Sequence, residues 1–476
     1  MTKVSMMKTW SPETGSLDIA TLGRLYRDGS LTPSAVVSAC YDRIAARGDD
    51  HVWIHLAPRE TVMAQAKALE AGGPTDDPLW GIPYSVKDCN DVPGMPTTNA
   101  LPEMEYWPET TGQAINRLIE SGALCLGKVN MDQFGIGLVG VRTPYGACSS
   151  VFGEDFISGG SSSGSGVSVA AGLVSFSVAN DAAGSGRVPA AFNNIVGLKP
   201  TPGFISNSSV SGGGSLKSAE TMTVFALTTA DAVTVGRRMG GYDPSYEFSK
   251  PEADTVDLAI GPIPPKFRFG VPAGAALRFF GDGEAEKLFA AAVARLEAMG
   301  GTKVEVDFTP FEETQKLLYG GPFIAERAIA MDKVVAEHRD HIHPVTLSIL
   351  ETSSDHSAKD VFAAIHKVAA LKRDTRASWD DIDVLVVPTT PTIYTKAEIL
   401  ADPIRLNAQL GIYTNFVNLM GLCGMAVPNG FRPDGMPQGI TFLAPSWQDA
   451  KVASYGAAYH AATGLTLGAT DNPQPA

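Results

Sequence analysis

Residues 158–201 read SGGSSSGSGVSVAAGLVSFSVANDAAGSGRVPAAFNNIVGLKPT. Two clusters of hydroxyls and glycines, SGGSSSGSG at 158–166 and ANDAAGSGR at 179–187, stand on either side of small residues suited to a helix from Val167 to Gly172. The run LVSFSVA then reads as a strand and NIVGLKP as a second, buried one. Working outward, GIPYSVKDC (81–89) and ALCLGKVN (123–130) are short β-like runs ahead of the stretch. Behind it, EAEKLFAAAVARLEAMGG (284–301) is an amphipathic helix closed by glycine,. TKVEVDF, DVLVVPTTPTI, GMAVPNG and GITFL are further strands, and 311–337 and 357–379 are long helical stretches. Near the start, Thr32 caps a helix with Pro33 at its first position,. Strands alternating with helices make this an α/β chain.

The bulk properties narrow the function. A net charge of −14 over 476 residues, with no basic run, argues against nucleic acid, because phosphate recognition needs clustered Lys and Arg,. Five scattered cysteines (Cys40, Cys89, Cys125, Cys148, Cys423) form no C-x-x-C pair and suggest reduced thiols in a cytoplasmic protein,. The start, MTKVSMMKTW, lacks the apolar core of a signal peptide, and no run is long enough to span a membrane,. HRDHIH holds His338, His341 and His343, which read as a polar surface turn before Pro344 rather than a metal site, since no further ligands are arranged around them,. Gly160-Ser161-Ser162-Ser163-Gly164 fits the G-x-S-x-G elbow, but VFGEDFIS ahead of it is only weakly strand-like,. GIGLVG (135–140) fits G-x-G-x-x-G without a convincing strand before it, so no dinucleotide site is expected,.

What remains is serine chemistry without histidine. A neutral lysine can activate a serine, provided burial strips its proton near neutral pH. Lys87 ends the apolar run GIPYSVK. Taken alone it reads better as a strand-end lysine in water.

The joint pattern changes that reading. G-G-S-S, about 24 residues to G-S-x-R, then P-A-A-F and V-G-L-K-P-T, unbroken from Ser158 to Thr201, resembles the amidase signature family. GIPYSVKD resembles the family's lysine segment, and LGKVNMDQFGIGLVGVRTPYG its next block. The resemblance implies a large mixed central β-sheet covered by helices on both faces. It implies Ser185 as nucleophile, Ser161 at a cis peptide as bridging serine, and Lys87 as base. The N–H groups of Ala182, Ala183, Gly184 and Ser185 would form an oxyanion hole. No metal or cofactor is implied, and a homodimer is expected.

Within the family the likeness extends, from about residue 17 to 460, to the amidase part of allophanate hydrolases. LLYGGPFIAER is similar to their carboxylate-binding segment, making Tyr319 and Arg327 substrate-binding candidates; eight residues apart, they would share one helix face,. Gly137 and Lys217 are carried over as further substrate-binding candidates. Two segments depart from the pattern. G-T-D-T becomes ANDA (179–182), and R-S-L-D-C becomes KSAET (217–221) behind a flexible-looking SNSSVSGGGS (206–215),. The expectation is a single amidase domain over 1–476. It comprises an N-terminal helical segment (17–70), a signature core (80–240), a helical insertion (280–380), closing strands (383–465) and a loose tail (466–476). It would cleave amide, urea or carbamate C–N bonds of small molecules. A ureido acid is the first substrate, bulkier carbamates or aryl amides the second, and a non-catalytic scaffold subunit the remote alternative.

Overall fold

The computed structural model describes residues 10–475; the start of the chain, read above for a leader, and Ala476 lie outside them. Thirteen strands occur among the described residues. They are β1 (Trp53–Leu56), β2 (Pro83–Lys87), β3 (Leu124–Val129), β4 (Ser149–Ser150), β5 (Gly153–Ile157), β6 (Phe176–Asp181) and β7 (Val196–Lys199). Then follow β8 (Thr221–Ala226), β9 (Phe267–Pro272), β10 (Gly301–Val306), β11 (Val384–Pro388), β12 (Cys423–Phe431) and β13 (Pro437–Ala444). Eleven form one mixed sheet in the order β1-β3-β2-β6-β8-β7-β12-β13-β11-β9-β10. β2 is parallel to both β3 and β6, whereas β8 runs antiparallel to β6 and β7.

The central strands β2, β6, β7 and β8 are buried at every position. Buried on both faces, they carry mostly apolar or small residues, with Lys87, Asp181 and Lys199 standing at the C-terminal ends of β2, β6 and β7,. Two groups of helices pack on the sheet. Thr229–Met239 and Asp449–Thr463 touch each other and cover β7, β8, β12 and β13, while Ser163–Ala170 and Val188–Phe192 touch each other and lie on strands from β2 to β13. The Ser/Gly composition of Ser163–Ala170 has a packing reason. A methyl group added at Gly164 would sit 2.6 Å from the backbone N of Asn130 and from the carbonyl of Val52.

Several expectations are corrected. A strand, β5, does precede G-S-S-S-G, but it lies outside the main sheet, in a separate ribbon with β4, and Ser162 lies buried with its hydroxyl 3.5 Å from the Asn180 carbonyl. The long helix expected over 311–337 is two helices, Thr309–Gln315 and Ile324–His338, parted around Gly320-Gly321-Pro322. The run 206–215 is pinned: Ser206 and Ser208 donate to Asp243 at 2.6 and 2.7 Å, and Asn207 donates to the Glu220 carbonyl at 3.0 Å. The tail is also held, with Leu467 buried, Ala469 N–H on the Ala170 carbonyl (2.8 Å) and Gln474 on the His460 carbonyl (2.9 Å). No helix among the described residues is long and apolar enough to cross a membrane.

Candidate active site

The register of the central strands assembles the site. Tyr84 lies opposite Phe176 and Val86 opposite Val178, so the C-terminal ends of β2 and β6 bring Lys87 and Asn180 together. Lys87 Nζ is 2.6 Å from Ser161 Oγ, and Ser161 Oγ is 2.8 Å from Ser185 Oγ. The Gly160–Ser161 peptide bond is cis. All three side chains are buried, Lys87 completely. Burial pulls the Lys87 ammonium below its ordinary value, against the opposing pull of Cys89, Glu220, Asp132 and Asp181,. Hydroxyl hydrogens rotate to suit their partners. With the amine protonated, donors run from Lys87 through Ser161 to Ser185; with it neutral, both hydroxyls can turn and donate toward the lysine.

Ser185 stands on a tight turn organised by a buried ion pair. Asp181 ends β6 and accepts from Arg187 Nε (2.9 Å) and Nη2 (3.0 Å), and also from the N–H groups of Gly184 (2.9 Å) and Gly186 (3.0 Å). Burial alone would raise the Asp181 carboxyl, but Arg187, Lys199 and the Gly186 N–H override it and hold it below its ordinary value. Gly184 has φ +132°, and a side chain there would strike Thr414, whose Oγ1 lies 2.6 Å from the Cβ position,. The four-donor oxyanion hole expected from the sequence is thereby corrected. Gly184 N–H is committed to Asp181, and only the N–H groups of Ala182, Ala183 and Ser185 have no bond among the described residues.

Tyr319 and Arg327 do not share a helix, because Tyr319 lies in the break between two of them. They meet nonetheless, the Arg327 guanidinium 5.4 Å from the Tyr319 ring centroid. Arg327 is 1% exposed; its Nη1 donates to Ser215 Oγ at 2.8 Å, while Nε, Nη2 and the buried Tyr319 hydroxyl have no partner among the described residues. Tyr319 packs on the cluster containing Ala182, Ala183 and Leu216, beside the Ser185 turn. Tyr319 also borders a cavity of about 850 Å³ whose lining includes Arg142 and Asn415.

The remaining candidates go elsewhere. Lys217 points outward to Glu247 at 3.5 Å, so it is no part of the pocket. Gly137 lies against Asp132 and Arg142, with its Cβ position 2.7 Å from Asp132 Oδ2; it shapes the loop after β3. His341 faces Glu103 at 2.6 Å and His343 caps the helix Pro344–Glu351, each serving its own local structure.

Comparison with known proteins identifies the family. The profile of the family described as Amidase matches residues 35–453. The chain belongs to the amidase family. It is 37% identical over 404 residues to the urea amidolyase of Saccharomyces cerevisiae, covering 84% of this chain and 22% of that protein. It thus spans about a fifth of that relative's length. It is 37% identical over 408 residues to the urea amidolyase of Lachancea kluyveri, again covering 84% of this chain and 22% of that protein. Among solved structures, Kluyveromyces lactis allophanate hydrolase superposes with a TM-score of 0.89 at 33% identity, over 98% of this chain and 76% of that one. Sequence reading of this amidase missed Asn180, Glu220, Ser215 and the Asp181–Arg187 pair. The two departures from the family pattern were the signal for the first two, since Asn180 lies in ANDA and Glu220 in KSAET.

Proposed function

We propose that this amidase hydrolyses the C–N bond of a small ureido acid of the allophanate kind. Ser185 is the nucleophile, Ser161 the proton relay, Lys87 the base, and Arg327 with Tyr319 the carboxylate clamp. The observation that carries the reading is Arg327, a buried guanidinium whose Nε and Nη2, like the tyrosine hydroxyl beside it, have no partner among the described residues. Leaving such donors unsatisfied costs about 1–3 kcal/mol each, a cost that a planar carboxylate removes by accepting parallel hydrogen bonds. The likeness to an allophanate hydrolase supports the same substrate class.

In this mechanism Ser185 Oγ attacks the substrate carbonyl as its proton passes to Ser161 and that of Ser161 passes to the neutral Lys87. Negative charge gathers on the carbonyl oxygen, which accepts from the free N–H groups of Ala182, Ala183 and Ser185. The ammonium returns the proton through Ser161 to the departing nitrogen, and ammonia leaves. Ser185 then holds the remaining N-carboxycarbamoyl group until water, deprotonated by the same relay, releases it.

A second reading is favoured by the cavity beside Tyr319. Its volume of about 850 Å³ exceeds the need of a ureido acid and suits a bulkier carbamate or aryl amide,. A panel of allophanate, biuret, a nitroaniline amide and an aryl carbamate separates the two. Allophanate is expected to be turned over best, and Arg327→Ala to raise its KM by roughly two to three orders of magnitude. No turnover of allophanate alongside good turnover of the aryl substrates would reverse the order. The remote scaffold reading is tested by labelling Ser185 with a fluorophosphonate, where a folded but unreactive protein would favour it.

A further inference from the structure

The two segments in which this chain departs from its family pattern meet in space. β6 and β8 pair with Asn180 opposite Met222 and Asp181 opposite Thr221, which sets Glu220 at the edge of the site. Asn180 Nδ2 donates to Glu220 Oε1, and Glu220 Oε2 accepts from the N–H groups of Ser215 (3.0 Å) and Leu216 (3.1 Å). On its other end Asn180 Oδ1 accepts from Lys87 Nζ at 2.5 Å. Asn180 and Glu220 are both buried.

We propose that Glu220, acting through Asn180, is a positioning residue for Lys87: it locks the asparagine amide with its carbonyl toward the amine, and so fixes the direction and proton affinity of the base. This rests on Lys87 being the base in the reading above. Among the described residues Glu220 accepts from Asn180 Nδ2 and from the N–H groups of Ser215 and Leu216, so its oxygens serve there as acceptors,. Only the amino end of the amide can face it, so the carbonyl end must face Lys87. A neutral amine has two N–H bonds and one lone pair. Giving one N–H to Asn180 orients the lone pair toward Ser161, and the same carbonyl steadies the ammonium once the proton arrives. A hydroxyl in place of Asn180 could turn either way; the locked amide cannot.

The other groups around the amine are already engaged. Asp181 at the end of β6 is paired with Arg187, and Asp132 after β3 accepts from the N–H groups of Val139, Gly140 and Arg142. Cys89, just beyond β2, lies 3.6 Å from Asn180 Oδ1. Glu220 itself is faced by Tyr246, and Arg327 reaches its segment through Ser215. Among the described residues, Glu220 is joined to Lys87 through a single side chain, that of Asn180.

The test is the rate of Ser185 labelling by a fluorophosphonate as a function of pH, which needs no knowledge of the substrate. Removing the negative charge in Glu220→Gln makes the ammonium give up its proton more readily. The acid limb should move to lower pH by about half to one unit, and the plateau rate should fall about tenfold. Glu220→Asp keeps the charge and should restore the limb to near the wild-type position, while Asn180→Thr, which breaks the link, should move it as Glu220→Gln does. Thermal unfolding accompanies each variant, and if Glu220→Gln does not fold, Asn180→Thr decides. A folded variant with an unmoved limb and a wild-type plateau overturns the proposal. Ser185→Ala separates the two levels: persistent labelling there overturns the nucleophile, whereas lost labelling with unmoved limbs overturns only the role of Glu220.

Discussion

Lys87→Ala is expected to lower kcat by roughly four to six orders of magnitude while the protein stays folded, a loss comparable to that of Ser185→Ala. Among the described residues Ser161 Oγ is hydrogen-bonded to Lys87 Nζ and Ser185 Oγ, the two groups with which it would exchange protons. Among the described residues no histidine is hydrogen-bonded to Lys87, Ser161 or Ser185; His460 is buried on the helix Asp449–Thr463 and His343 caps Pro344–Glu351. Lys87→Arg should be nearly as inactive, because a guanidinium keeps positive charge and donors but cannot give up its proton. The double variant Lys87→Ala/Ser185→Ala should be no slower than either single one, since residues acting as one unit are not additive. The sign of the pH dependence follows from the same amine. It must be neutral to accept a proton, so activity rises with pH through the lowered Lys87 value, and the alanine variant should lose that acid limb. Steady-state kcat across pH, with thermal unfolding as a folding control, makes the check. A Lys87→Ala enzyme within tenfold of wild type would remove lysine from the mechanism.

The parts of this site legible in the sequence are those whose chemistry and spacing are local. The run from Ser158 to Thr201 holds both serines, and GIPYSVK ends at the lysine. Both segments are confined by buried strands that tolerate little else. The parts that escaped depend on distant partners. SNSSVSGGGS looks flexible by composition, yet the hydroxyls of Ser206 and Ser208 are taken up by Asp243, more than thirty residues on,. β8, TMTVFA, has too weak a period to be read as a strand. It becomes one because β6 and β7 pair with it on both sides,. Lys217 stands out for its charge, but the chain there turns it to solvent, and the residue aimed inward is Glu220, three positions on. The glycine at 184 does permit close approach, but which N–H groups stay free depends on where the Asp181 carboxylate lies, which spacing does not reveal.

That carboxylate leads to the second large effect. Arg187→Met is expected to destabilise the protein by about 3–5 kcal/mol, because it leaves Asp181 buried without its counter-charge,. The side chain also donates to the Thr414 carbonyl (3.2 Å) and Asn418 Oδ1 (3.1 Å), tying the nucleophile turn to the helix Asn415–Leu419. Two linked losses should follow. The denaturation midpoint falls, and the surviving folded protein labels slowly at Ser185, since Asp181 also holds the N–H groups of Gly184 and Gly186. The pH dependence distinguishes loss of the pair from loss of packing volume. Asp181 is held below its ordinary carboxyl value in the folded chain. Its contribution is therefore full above the unfolded value and disappears as pH falls through the lowered, folded one. Without Arg187, burial dominates and raises the carboxyl, so the variant should gain, relative to wild type, as the medium turns acidic. Urea midpoints of wild type and Arg187→Met should accordingly converge toward acid pH, whereas a gap that stays constant with pH would mean that Arg187 stabilises this turn by filling space and not by its charge.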